Sequence, residues 1–301
     1  MEQENVGGLF MIKCIVCDLD GTLMRKDDSI EEKTYQSLKR CIENGIEFII
    51  ATGRDINMVI DFLDHYQLDC DLILNNGTQY CNRRQTFNHI YPMNYEAFKK
   101  IAHILSSYGY LLAIHTDHGK YSFVNQEEFW DYHYKLLLAS PDYQESLPQK
   151  TFTTKEGYLR DFHYAKDADE IIKQGIKVLK IDARHLDAYL IQGVKQQLNI
   201  DGLNISSSYE DNIEITSSQT SKGKLLDKVI KEKGYAYDEV AVFGDGENDK
   251  DMLALFPYSF APANASNSAK MAAHYQLSST CENGAVFEGI EILKQKEILK
   301  I

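Results

Sequence analysis

The run Met11–Cys17 is almost wholly apolar and stops abruptly at Asp18-Leu19-Asp20-Gly21-Thr22. Such a run reads as a strand buried on both faces of a parallel sheet. Two carboxylates one residue apart repel each other and resist desolvation, so stability alone gives no reason to end a buried strand this way. A divalent cation at the carboxyl end of the strand removes the conflict. One feature thus constrains both fold and chemistry: a parallel sheet, with a metal-assisted site at the end of its first strand.

The segments that follow keep the same rhythm. Ser29-Ile30-Glu31-Glu32 has the form of a capping box with Ser29 as N-cap, opening a helix whose apolar positions are Tyr35, Leu38 and Ile42 and which closes at Gly45. Ile46 to Ala51 reads as a second strand, stopping at Thr52-Gly53-Arg54. A helix with Ile56, Val59, Ile60 and Leu63 on one face comes next, and then a strand, Asp71 to Leu74, ending at Asn75-Asn76-Gly77. Strands separated by helices of this length make a doubly wound parallel sheet.

From about Cys81 the pattern changes. Asn94 to Tyr108 reads as a helix (Phe98, Ile101, Leu105). Tyr110–Ile114 and Tyr121–Val124 read as a hairpin, Ile176–Ile181 as a strand followed by a helix to about Leu198, and Leu203–Ser206 with Asn212–Thr216 as a closing hairpin. This is an α+β insert. Alternation resumes with a helix over Thr220–Lys233 and the strand Val240–Phe243. The expected organisation is an N-terminal extension (1–10), a Rossmann-like α/β core in two pieces (11–81 and 218–301) and an inserted α+β cap (82–217).

Polar clusters stand at strand ends or neighbouring turns: Asp18-Leu19-Asp20, Thr52-Gly53-Arg54, Ser221-Lys222-Gly223 and Gly244-Asp245-Gly246-Glu247-Asn248-Asp249. Open α/β sheets bind ligands outside the carboxyl ends of their strands. Acids, a hydroxyl, glycine amides and an ammonium together make an inventory for a metal and a phosphate. These motifs, in this order, resemble the haloacid dehalogenase superfamily, and within it the Cof-like hydrolases with a type IIB cap. The resemblance covers nearly the whole chain after about residue 11.

The resemblance implies a Mg²⁺-dependent phosphatase acting on small phosphorylated metabolites, sugar phosphates foremost, through an aspartyl-phosphate. Asp18 is then the nucleophile and Asp20 the general acid and base. Asp18, the Asp20 backbone carbonyl and Asp245 hold magnesium, while Leu19, Thr52, Gly53, Lys222 and Asn248 hold the phosphoryl oxygens. Asp249 is expected behind them, as partner of Lys222 or of a metal-bound water. With Asp20 protonated, Asp18, Asp245, Asp249 and a phosphate dianion total about −5, which magnesium and Lys222 offset by about +3; each close like-charged pair costs on the order of 4 kcal/mol. An acid at the position of Asp20 favours phosphate-ester chemistry over dehalogenation. A phosphotransferase or mutase using the same intermediate is an alternative reading, as is a non-catalytic, phospho-ligand-binding regulatory protein. Ala261-Pro262-Ala263-Asn264-Ala265 stands where the family has a Met-Gly-Asn-Ala turn; Asn264 is kept and a proline enters.

Plainer readings compete at single residues. Thr52 suits an ordinary N-cap ahead of Arg54, Lys222 a surface lysine with Lys224 as its neighbour, and Arg54 a structural tie. His115 and His118 read as surface histidines of a hairpin rather than zinc ligands. Asp245–Asp249 fails as a calcium loop, because Lys250 and Phe256 stand where glycine and glutamate are needed. The Cys14/Cys17 pair points to opposite faces of a strand, which argues against a shared metal or disulfide. A formal net charge of −13 argues against nucleic acid as partner. No apolar run approaches the length of a membrane span, and the acidic Met1–Asn5 lacks the order of a secretory signal, so the expected location is the cytoplasm.

Overall fold

The computed structural model describes residues 11–139, 154–207 and 212–301. The expected extension 1–10 lies outside the described residues. In chain order the elements are β1 (Cys14–Cys17), α1 (Glu32–Glu43), β2 (Glu47–Ala51), α2 (Ile56–Tyr66), β3 (Asp71–Leu74), β4 (Gln79–Asn82) and β5 (Asn88–Ile90). Then come α3 (Tyr95–Ser107), β6 (Leu111–Thr116), β7 (Gly119–Ser122), α4 (Gln126–Ala139), α5 (Lys155–Tyr158), β8 (Phe162–Tyr164), α6 (Ala168–Lys173) and β9 (Val178–Arg184). After them stand α7 (Ala188–Gln197), β10 (Leu203–Ser206), β11 (Asn212–Ser217), α8 (Lys222–Lys233) and β12 (Val240–Phe243). The chain closes with α9 (Lys250–Leu255), β13 (Tyr258–Ala261), α10 (Asn267–Ala272), β14 (Tyr275–Gln276) and α11 (Ala285–Gln295). No helix among the described residues is long and apolar enough to cross a membrane.

The chain divides into two compact units, one made of the residues up to Ile50 with Asp227–Ile301, the other of Ala51–Leu226. In the first, strands pair in parallel in the order β14–β13–β12–β1–β2. β1 and β12 are buried along their whole length. A strand covered on both faces has no solvent side, and so neither carries a charged residue. β1 begins at Cys14 rather than Met11, although the amides of Ile12 and Lys13 already bond to Ile298 and Glu239 carbonyls at 2.9 and 2.8 Å. Phe243 and Phe260 stack at 4.8 Å between ring centres and anchor this core.

α1 departs from expectation at its start. Its N-cap is Glu31, not Ser29: the Glu31 carboxylate accepts from the Thr34 amide at 2.8 Å, while the Ser29 amide bonds to Asp27 at 3.1 Å. A carboxylate here meets both an orphan amide and the positive end of the helix dipole. The buried face is Thr34, Ser37, Leu38 and Cys41, turned from the expected Tyr35/Leu38/Ile42 stripe. α1 packs on α11, and small side chains on that face suit a close helix contact.

In the second unit, β3, β4 and β5 run antiparallel. β4 and β5 had no sequence signature, because QYCN and NHI neither alternate nor run apolar. A six-stranded sheet, order β10–β11–β9–β6–β7–β8, is antiparallel except at β7–β8. β11 up to Thr216 and β9 from Lys180 alternate polar and apolar residues. Leu112 and Ile114, Ile181 and Ala183, and Ile213 and Ile215 join a core with Phe98, Ile101 and Leu105 of α3, Ile171 of α6, and Ile191 and Val194 of α7. α3 behaves as its sequence reads, with Asn94 capping the amides of Glu96 and Ala97.

The other face of that sheet is polar yet buried: His115, Lys120, Lys180, Asp182, Asn212, Glu214 and Thr216. At one end Phe129 of α4 and Tyr158 of α5 cover it, against Leu111 and Ala113. Lys120 donates to the Tyr158 carbonyl at 2.7 Å. Asp182 accepts from Asn212 Nδ2 and Arg184 Nε, each at 3.1 Å.

Burial alone would raise the Asp182 carboxyl, but the Arg184 guanidinium and the Lys180 ammonium outweigh it and bring it down to about 2. The unfolded chain therefore binds this proton more readily than the folded one. The contribution is present in full above the unfolded carboxylate value near 4 and lost as pH falls towards 2. Chemical denaturation measured from pH 6 to pH 2 should show wild type losing on the order of 2 kcal/mol more than Asp182→Asn over that window.

Candidate active site

The register of β1 on β12 builds the first part of the site. Cys17 faces Phe243, and the Asp18 amide bonds to the Phe243 carbonyl at 2.9 Å, so the residues that follow the two strands emerge side by side, about 4.8 Å apart in the pairing direction. Asp18 is buried, Asp245 half-buried and Asp249 fully buried, and one carboxylate oxygen from each lies within 4.8 Å of the others. Thr22 Oγ1 donates to Asp245 Oδ1 at 3.0 Å. Asp249 Oδ2 accepts from the amides of Asp245 and Gly246 at 3.0 and 2.8 Å.

Three carboxylates this close cost each other several kcal/mol at an effective dielectric near 20. An all-oxygen donor set at one point is the chemistry of a hard divalent cation such as Mg²⁺ or Ca²⁺. Thiols do not compete for this role: burial and the neighbouring Asp18 charge push the Cys17 thiol well up, and neither Cys14 nor Cys17 is in a disulfide.

Asp20 is half-buried in the tight loop after β1, where the Met24 amide bonds to the Leu19 carbonyl at 2.8 Å. Gly21 holds φ at +80°, and a Cβ there would run into the Asp245 carboxylate. A residue that the chemistry had not flagged, Asn264, fastens the same loop. Its Nδ2 donates to the Gly21 carbonyl at 2.7 Å and its Oδ1 accepts from the Cys281 amide at 2.9 Å. The proline beside it does no harm, since the Pro262 carbonyl accepts from the Ala265 amide at 2.9 Å and the turn forms. Asn248 is half-buried in the short turn Glu247–Asp249, which leads into α9 and not into a calcium loop.

In the second unit, Thr52 is fully buried, and its Oγ1 accepts from the Arg54 amide at 3.2 Å. It is not the cap of α2; that is Asp55, which accepts from the Met58 amide at 3.0 Å. The Thr52 amide bonds to the Ile73 carbonyl at 2.8 Å and the Asn76 amide to the Thr52 carbonyl at 3.1 Å. The Asn75-Asn76-Gly77 turn thus backs the Thr52-Gly53 turn. It also borders the start of α8: Gly77, at φ +91°, lies so close to the Ser221 backbone that no side chain fits, and Thr220 Oγ1 donates to the Gly77 carbonyl. Lys222 opens α8 with only 1% of its surface exposed, which excludes the surface-lysine reading; Lys224 is the exposed one and bonds to the Ser218 carbonyl. Arg54 is buried and donates to the Met58 carbonyl at 3.4 Å.

His115 corrects another expectation. It is buried, not a surface histidine, with Nδ1 2.8 Å from Asp55 Oδ2. Burial works against the Asp55 charge, but the His115 contact and the Lys120 ammonium hold its carboxyl far below the usual range. His118 is exposed and pairs with Asp117.

The chain as a whole matches a known family. The model of the haloacid dehalogenase-like hydrolases matches residues 15–290, and the chain belongs to that family. It is similar to the 5-amino-6-(5-phospho-D-ribitylamino)uracil phosphatase YwtE of Bacillus subtilis, with 27% identity over 92% of this chain and 96% of that protein. The pyridoxal phosphate phosphatase YbhA of Escherichia coli is 26% identical over 87% of this chain and 92% of its own. A solved haloacid dehalogenase-like hydrolase from B. subtilis shares the fold, with a TM-score of 0.77, 24% identity, and coverage of 92% of this chain and 98% of that one.

Gly21→Ala forces a Cβ against Asp245 at a left-handed backbone. It should lower stability by at least about 1 kcal/mol in urea unfolding.

Proposed function

We propose that this protein is a Mg²⁺-dependent phosphomonoesterase of small phosphorylated metabolites that works through an aspartyl-phosphate on Asp18. The observation that carries the reading is the Asp18–Asp245–Asp249 cluster at the ends of register-matched parallel strands. The family and its named phosphatases support hydrolysis of a phosphate ester. Two relatives named for different phosphate esters, one a phosphoribityl compound, favour a small metabolite, with sugar phosphates first among the candidates.

The chain's own groups divide the work. An Asp18 carboxylate oxygen attacks phosphorus, the ester P–O bond breaks, and the leaving alcohol takes a proton from Asp20. Asp20, now a carboxylate, accepts a proton from the water that attacks the phosphorus of the aspartyl-phosphate, and inorganic phosphate leaves. Leu19, Thr52, Gly53, Lys222 and Asn248 are assigned to the phosphoryl oxygens, Leu19 and Gly53 through their backbones. Asp18, the Asp20 carbonyl and Asp245 would hold Mg²⁺, with Asp249 fixing the Asp245 loop through its two amide bonds. When bound, Mg²⁺ neutralises the carboxylates and the phosphoryl charge. Substrate choice is assigned to the cap, 82–217, between core pieces 11–81 and 218–301.

Steady-state hydrolysis of p-nitrophenyl phosphate should require Mg²⁺ and stop on chelation. Asp18→Asn should cut kcat at least about a thousandfold with the thermal midpoint kept. Turnover that survives this substitution unchanged refutes the nucleophile, and phosphorylated product from a hexose phosphate acceptor would make the protein a transferase.

A further inference from the structure

We infer that the buried pair Lys180–Glu214 is a positioning device for the Thr52–Gly53 turn, an inference that rests on reading this turn as a phosphate-binding element. Lys180 lies on β9 and Glu214 on β11, on the same face of adjacent strands and each only 4% exposed. The Lys180 ammonium donates to Glu214 Oε1 and also to the Gly53 carbonyl at 2.9 Å. Glu214 Oε2 accepts from Asn76 Nδ2 at 3.0 Å. One ion pair therefore grips two turns. The turns also grip each other, through Asn76 N to Thr52 O at 3.1 Å and Asn75 N to Arg54 O at 3.0 Å.

The consequence for Gly53 is geometric. A peptide unit is planar, so a bond to its carbonyl orients the amide on the far side. The Thr52–Gly53 unit is held at the Thr52 carbonyl by Asn76, whose side chain is held by Glu214. The Gly53–Arg54 unit is held at the Gly53 carbonyl by Lys180. Both units flanking Gly53 are thus fixed, one directly and one through Asn76, and with them the direction of the Gly53 N–H. Glycine is the residue that most needs such restraint, because its own backbone imposes little.

Stability does not explain the pair. Desolvating two charges offsets much of their attraction, and replacing such a pair by apolar residues of similar volume is often neutral or stabilising. What an apolar pair cannot do is bond the Gly53 carbonyl and the Asn76 amide. Lys180 and Glu214 are accordingly positioning residues: they act on the phosphoryl group only through the turn.

The test uses the full chain with Lys180→Met/Glu214→Met, which removes both charges at similar volume, beside wild type. Three readouts are taken: thermal midpoint, amide hydrogen exchange of residues 52–55 without ligand, and affinity for inorganic phosphate with KM for p-nitrophenyl phosphate. The double variant should stay folded, exchange at least about tenfold faster at the amides of 53 and 54, with Leu72–Leu74 of β3 unchanged, and bind phosphate at least about tenfold more weakly. If the double variant does not fold, Lys180→Met/Glu214→Gln, which keeps an oxygen for Asn76 but removes the donor to the Gly53 carbonyl, supplies the same readouts. A folded variant with wild-type exchange at 52–55 overturns the inference whatever the substrate is. Faster exchange in a protein whose wild type binds no phosphate upholds the clamp and strikes only the phosphatase reading.

Discussion

Parallel pairing of β1 with β12 is the constraint on which the candidate site depends. Backbone hydrogen bonds running up to Asp18 deliver its carboxylate beside Asp245, although the two are far apart in sequence. Apolar burial of both strands drives that pairing. The acids at the strand ends repel one another, and the cluster they form is one that could hold a metal ion. Around this point the chain spends ordinary hydrogen bonds to hold position: Thr22 on Asp245, Asp249 on two amides, and Asn264 on the Gly21 carbonyl.

The six-stranded sheet solves a different problem. One face is a conventional apolar core against α3, α6 and α7, whereas the other buries charges and amides that satisfy one another. Buried charges are costly unless their bonds are complete. The same polar face supplies the hydrogen bonds that meet the turns after β2 and β3, so sheet register and turn geometry are linked through side chains.

Much of this was legible in the chain itself. β3 and β12 fall on the residues that their apolar runs marked, and α3 begins at its asparagine cap. The Asp18, Asp245 and Asp249 cluster joins positions that the motifs had singled out. The failures have physical causes. α1 starts two residues later than the Ser29 box implies, because Glu31 caps the Thr34 amide while Ser29 is held in a turn by Asp27. β4 and β5 pair through backbone bonds that their mixed side chains do not advertise. His115 read as a surface residue because its partner, Asp55, lies in a distant segment. The Lys180–Glu214 pair carries no sequence signature for the same reason.

Local chemistry in the sequence determined the strand–helix alternation, the positions of the acids and glycines, and the family to which the chain belongs. Periodicity, capping and turn preference act over a few residues and are written where they act. Only the tertiary structure decided which groups stand within hydrogen-bond reach: Asp18 with Asp245 and Asp249, Asn264 with Gly21, Lys180 with Gly53, and Glu214 with Asn76. Such contacts depend on strand register and on burial that lowers the local dielectric, and these arise from the packed chain as a whole.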